Sequence, residues 1–255
     1  MREFFGFGGY QRPAEGFLSW QHIAAAVFYL TVMTVLAIVI GLSRRNSDER
    51  RKNRVLIAAA LLIDGFELFK IVLLCFRSHN AMDWLYNLPL FLCSIQLITI
   101  PLAAFAKGRL RNAALDFVVI FGLLGAVMGI VGAGNNYSCY PVISFDNVVS
   151  GITHAISGFC SLYILISGMA SMKKSDIHLT FFIMLGFCLA AYIANRLIGY
   201  NYMFLMRGDG TPYDILYNLL GGNPVLYPLA VLLLFLIYIV AYYALYYLFK
   251  RKKQA

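Results

Sequence analysis

Charge is scarce in this chain: only 13% of its 255 residues are Asp, Glu, Lys or Arg. An ordinary soluble domain carries about 25%, so the sequence cannot clothe a water-facing globular surface. Acidic groups are the scarcer sign, 12 against 21 basic residues. Cysteine occurs five times, at Cys75, Cys93, Cys139, Cys160 and Cys188, with no CxxC pair. That scatter implies neither a disulfide framework nor a zinc site, and no metal or other cofactor is expected. What the chain has in abundance is apolar length. Hydrophobic residues make up 61% of it, gathered in blocks, and runs of about 18 or more read as membrane-crossing helices. A soluble enzyme, a nucleic-acid-binding domain and a disordered chain are excluded.

Seven blocks are predicted to cross, at 19–42, 54–76, 85–106, 114–133, 149–170, 179–199 and 225–248. At 1.5 Å rise per residue, each covers a hydrocarbon core of about 30 Å. Backbone in lipid must satisfy its own hydrogen bonds. The expected fold is therefore all-α: one polytopic domain over 1–255, a bundle of seven transmembrane helices. Residues 1–18 are too polar for a signal-peptide core, so the first helix is expected to be retained.

The basic residues orient the bundle. Arg44, Arg45, Arg50, Arg51, Lys52 and Arg54 fill the first connection; Lys107, Arg109 and Arg111 the third; Lys173 and Lys174 the fifth. Lys250, Arg251, Lys252 and Lys253 follow the last block on that same side. The opposite side holds Arg2, Arg12, Arg77 and Arg207, and Lys70 and Arg196 lie inside blocks. The positive-inside rule puts residues 1–18 outside and the basic tail 249–255 in the cytoplasm, as in a multi-pass protein of the cell membrane. Topology thus accounts for the net charge of +9, and nucleic acid is not an expected partner. The connections 134–148 and 200–224 are long for turns. The second carries an apolar stretch, Ile215 to Leu220, that suits a short interfacial helix.

Ionisable groups inside a span are costly and by default mark a functional site. His22, Asp64, Glu67, Lys70, His154 and Arg196 are such groups, with Asn195 beside the last. Counted from the outer ends of their helices, all but Asp64 fall within roughly 5–15 Å of the outer boundary. Asp64 is near the midplane. One-sided polarity predicts a cavity opening outward that Glu67, Lys70, Cys93, His154 and Asn195 share. Private arrangements remain open: an i,i+3 ion pair for Glu67 and Lys70, snorkelling for Arg196, an interfacial role for His22. Cys93 stands in NLPLFLCSIQL, after Pro89 and before Ser94 and Gln96. Proline frees backbone from the helix ladder, and a thiol beside a histidine is an activated nucleophile. A packed thiol acting as a small hydrophobe is the alternative.

Several segments carry a resemblance: FLSWQHI at 17–23, NLPLFLCSIQL at 87–97, the stretch around His154, ANRLIGYNYMFLMRGDG at 194–210 and GGNPVLYPL at 221–229. With these, the chain resembles the YwaF-like family of bacterial seven-helix integral membrane proteins. Phe91 stands where members commonly have a histidine, and Gly208 and Asp209 where they often have Lys-Pro. The family is in turn distantly similar to a eukaryotic membrane phospholipid acyltransferase that works through a cysteine. The resemblance implies Cys93 as nucleophile and His154 as its base, with Ser94 and Asn195 as candidate oxyanion donors. Gln96, Asn195, Arg196, Asn201 and Tyr202 from the matched segments join His22, Asp64, Glu67 and Lys70 as the expected substrate-binding set. Membrane lipids and a small amphiphilic substrate are the expected partners. Three functions remain open at this point: lipid acyl transfer, transport or substrate binding with Asp64, Glu67 and Lys70 as a charge relay, and a receptor-like bundle.

Overall fold

The computed structural model describes residues 2–252. Among them every regular element is helical, with nine α-helices. These are α1 (Trp20–Arg44), α2 (Glu49–Ser78), α3 (Gln96–Phe105), α4 (Gly108–Val131), α5 (Gly134–Cys139), α6 (Phe145–Ile166), α7 (Ile177–Ile198), α8 (Tyr213–Leu219) and α9 (Leu226–Lys252). The end of the expected basic tail, 253–255, lies outside the described residues. Five stretches are long and apolar enough to cross a membrane: Trp20–Arg44, Gly108–Cys139, Phe145–Ile166, Lys174–Ile198 and Leu226–Lys250. α2 has the length for a crossing at 30 residues, but it opens on the charged run from Glu49 to Arg54.

The helix expected over 85–106, with Pro89 freeing backbone within it, is formed only from Gln96 onward, and its bounds are corrected. A 3-10 turn, Ala81–Asn87, leads into an irregular segment, and α3 begins only at Gln96. The cause is Pro89, which has no N–H to donate and pushes the residue before it into extended backbone; Leu88 sits at φ −62°, ψ 147°. Freed backbone groups must find partners elsewhere. Tyr202, from the distant 200–205 loop, supplies them: its hydroxyl donates to the Leu85 carbonyl at 2.5 Å and accepts from the Leu88 N–H at 3.1 Å. Ser94 Oγ accepts from the Phe91 N–H at 3.0 Å.

α4 is the buried centre of the bundle and packs most closely on α6. Small residues let the two backbones approach. Ser157 and Ser161 of α6 donate to the carbonyls of Gly122 and Val119 at 3.2 and 2.7 Å. α1 lies along α6, with Gly151 and Gly158 facing Tyr29 and Met33. α7 and α9 pack on one another and on the far side of α4.

Asp116 is fully buried within α4. Its Oδ1 accepts from the N–H groups of Ser171 and Met172 at 3.0 and 2.8 Å, and its Oδ2 accepts from the Tyr243 hydroxyl at 2.8 Å. One carboxylate thereby ties α4 to the turn after α6 and to α9. Asp116→Ala takes the acceptor from three donors, two of them buried, and is expected to destabilise the fold by about 3 kcal/mol. Thermal unfolding in detergent checks this, and an unchanged midpoint would remove Asp116 from the account.

At the other end of the bundle the N-terminal segment is strapped across α2 and α6. Arg77 donates to Asp146 Oδ2 at 2.6 Å and to the Phe5 carbonyl at 3.2 Å, and Tyr10 donates to the same carboxylate. Burial, aided by Asp146, pushes the Tyr10 hydroxyl up to about 12, so it stays a donor at neutral pH. Phe4 and Phe5 pack on Phe145 beneath it. The apolar stretch in the 200–224 connection forms α8, a short helix with Ile215 and Leu219 exposed.

Candidate functional site

Near the strapped end a cavity of about 290 Å³ opens between α2, the irregular segment before α3, and α6. Glu67 and Lys70 reach it from α2, Phe91, Cys93 and Ser94 from the broken segment, and Ser150, Thr153 and His154 from α6. Tyr86, Asn87, Asn136 and Tyr200 complete its polar and aromatic lining. Glu67, Lys70, Cys93 and His154 are therefore brought together. Glu67 and Lys70 are also joined as an ion pair at 2.5 Å, so the private and shared readings of that pair hold at once.

Behind Cys93 and His154 stand two glycines one turn apart on α4. A Cβ at Gly125 would lie 3.3 Å from the Cys93 Cα, and one at Gly129 would overlap the His154 ring. Their bareness lets the cysteine segment and the imidazole settle side by side against the same helix. Cys93 and His154 thus line the same cavity, packed on successive turns of one helix. The imidazole is held in one orientation. Its Nδ1 lies 2.7 Å from the Ser150 carbonyl oxygen, one helical turn back. A carbonyl can only accept, so Nδ1 carries the proton and Nε2 of the neutral ring is left with a free lone pair. This is the tautomer a base needs. The other cysteines lie elsewhere: Cys160 and Cys188 are buried in the core, Cys75 faces the Ala81 carbonyl and Cys139 is exposed.

The remaining residues of the expected set do not line the cavity. Asn195 is buried and clamps the Tyr202 backbone, donating to its carbonyl at 3.0 Å and accepting from its N–H at 2.6 Å. The expectation that Asn195 shares the cavity is corrected: both ends of its amide are spent on this clamp, which also removes it as an oxyanion donor. Tyr202 acts through the broken segment, as described above. Asn201 bonds Asp209, the Arg207 carbonyl and the Met206 N–H, folding the 201–209 loop on itself. Gly199, in left-handed backbone at φ +68°, ends α7 and turns the chain into that loop. Arg196 lies on the exposed face over the Tyr192 ring, at 5.3 Å. His22 is buried against Tyr137, its Nε2 3.0 Å from the Ile130 carbonyl. Gln96 is buried beside Thr99, and Asp64 lies off the lining with one buried oxygen unpaired among the described residues. Ser94 does line the cavity, but its hydroxyl is engaged by the Phe91 backbone on both sides.

Tyr86, Asn87, Asn136, Ser150, Thr153 and Tyr200 were not anticipated. Ser150 had a signal, since it stands four residues before His154 and so shares its helix face. Thr153 is the neighbour of His154 on α6, and Tyr86, Asn87, Asn136 and Tyr200 come from the short elements and turns between the long helices, whose path no local pattern encodes.

A family model for the TMEM164 family matches residues 17–245. The chain belongs to the TMEM164 family. The match spans every residue of the cavity and all of α1 to α8, so the site lies within what the TMEM164 model describes. Together with its apolar helices it makes this chain a membrane protein. No curated protein and no solved structure matches the chain.

Proposed function

We propose that this protein transfers lipid acyl groups through a thioester on Cys93, with His154 as general base. The observation that carries the reading is the pairing of a thiol in broken-helix backbone with an imidazole whose free nitrogen is Nε2. His154 takes the thiol proton as sulfur attacks the ester carbonyl of a lipid. The C–S bond forms, the ester C–O bond breaks, and the imidazolium returns its proton to the departing alkoxide. An acceptor hydroxyl then attacks the thioester. His154 takes that hydroxyl's proton, the thiolate leaves, and the proton passes back to sulfur. The Lys70 ammonium, already in the cavity, stands where it stabilises a thiolate or an oxyanion. The resemblance to YwaF-like proteins, and through them to a cysteine-dependent phospholipid acyltransferase, supports the same reading. The test is turnover: full-length protein in vesicles, given a phospholipid with an isotope-labelled acyl chain and a lysophospholipid acceptor. Labelled acceptor should form with the native chain and not with His154→Ala; equal yields would overturn the reading.

The reading includes a cell-membrane bundle of seven crossings, with α2 and the broken 85–106 segment as the two beyond the five apolar stretches. Residues 1–18 are outside and the basic tail is in the cytoplasm, which puts the cavity in the outer half of the bilayer. Its support is the one-sided distribution of Lys and Arg. Single cysteines introduced at Ser47 and Ser175 are expected to be labelled only from the cytoplasm, and at Ser138 and Thr211 only from outside. Labelling of Ser175→Cys from outside would overturn seven crossings.

A further inference from the structure

At the opposite end of the bundle from the Cys93 cavity, the turn between α1 and α2 holds a second recess, about 610 Å³ in volume. Arg44 closes α1, and Arg51 and Arg54 stand in the first turns of α2; with Ser43 they form its rim. Ile40, Val55 and Ala58 form its apolar walls. None of the three guanidinium groups is paired with a carboxylate among the described residues. The acidic groups of the turn are committed elsewhere. Asp48 caps α2 by accepting from the Arg51 backbone N–H at 2.8 Å, and Glu49 is shared by Lys52 and Arg111 at 3.4 and 3.5 Å.

We propose that this groove binds the phosphate of an anionic phospholipid, with the lipid's acyl chains lying along Ile40, Val55 and Ala58. Guanidinium groups present forked donors that match phosphate oxygens, and three of them converge here without a protein anion to neutralise them. Ile40 stands about one helical turn, roughly 6 Å, deeper than Arg44, and Ala58 as far beyond Arg54, with Val55 between. That offset is the one between a lipid's phosphate and the start of its chains. Leu36 and Val39 of α1 and Leu61 and Leu62 of α2 continue the exposed apolar surface past the groove. A free phosphate ion would satisfy the arginines and leave those walls in water, whereas a lipid uses both, and basic pockets between membrane helices are suited to acidic headgroups. The proposal is independent of the chemistry at Cys93.

Native mass spectrometry of the full chain in detergent tests it, with phosphatidylglycerol and phosphatidylcholine as probes. Phosphatidylglycerol should be retained about tenfold more than phosphatidylcholine. The Arg44→Gln, Arg51→Gln, Arg54→Gln variant should lose that preference. A charge-matched variant, Arg45→Gln, Arg50→Gln, Lys107→Gln, should keep it, and excess inorganic phosphate should not displace the lipid. The single change Arg54→Gln, which leaves two arginines and little risk to folding, should lower the preference about threefold. Retention by the groove variants, equal loss in the charge-matched variant, or displacement by phosphate would each overturn the proposal.

Discussion

Replacing Cys93 with serine is expected to lower acyl transfer by at least about a thousandfold, because a hydroxyl on the same carbon is a far weaker nucleophile with this base. Cys75→Ser, Cys160→Ala and Cys188→Ala should leave the rate within about twofold, since a change remote from the reacting atoms does not touch the transition state. The contrast follows from position. Cys93 is the cysteine that lines the cavity, whereas Cys160 and Cys188 are enclosed by core side chains and Cys75 faces a carbonyl at the end of α2. The measurement is the labelled-acyl turnover assay on all four variants. Equal loss in all four, or none in Cys93→Ser, would return Cys93 to the role of a packed thiol.

Gly129→Ala is expected to cost about a hundredfold in the same assay, although Gly129 touches no substrate. The new methyl group would overlap the His154 ring. It forces either the imidazole or α4 to shift, and a displacement of about 1 Å between base and nucleophile is enough for a loss of that size. Overpacking of this kind also costs about 1–3 kcal/mol of stability. Gly186→Ala on α7 separates the two effects. Nothing lies within 4 Å of its added Cβ, so the variant should keep full activity and gain up to about 1 kcal/mol from helix propensity. If Gly129→Ala retained activity while His154→Ala lost it, Gly129 would not set the imidazole's position.

What the sequence could and could not reveal divides along physical lines. Apolar blocks of about twenty residues mark α1, α4, α6, α7 and α9 because lipid leaves the backbone no alternative to the helix. The 85–106 block misled for a definite reason. Its composition is that of a crossing, but Pro89 removes a donor, and the groups it frees are satisfied by Tyr202 from a loop about a hundred residues away, a pairing no local pattern contains. The depth argument brought together Glu67, Lys70, Cys93 and His154, four polar groups at similar heights on three elements. It failed for Asn195, His22 and Arg196 because depth says nothing of the direction in which a side chain points. Asn195 turns to Tyr202, His22 to the Ile130 carbonyl, and Arg196 to the exposed face. Asp116 shows the same gap: its position along the chain gives its height, but only the fold shows that it is buried against Tyr243.

The most direct test of the central claim is to catch the intermediate. The native chain is mixed with a phospholipid carrying a labelled acyl chain, quenched in acid before an acceptor is added, digested and mapped by mass spectrometry. The account predicts one labelled peptide, carrying its acyl group on Cys93 as a thioester that hydroxylamine removes, and no such adduct in His154→Ala on the same timescale. An acyl group resistant to hydroxylamine, spread over several cysteines, or formed equally without His154 would contradict it.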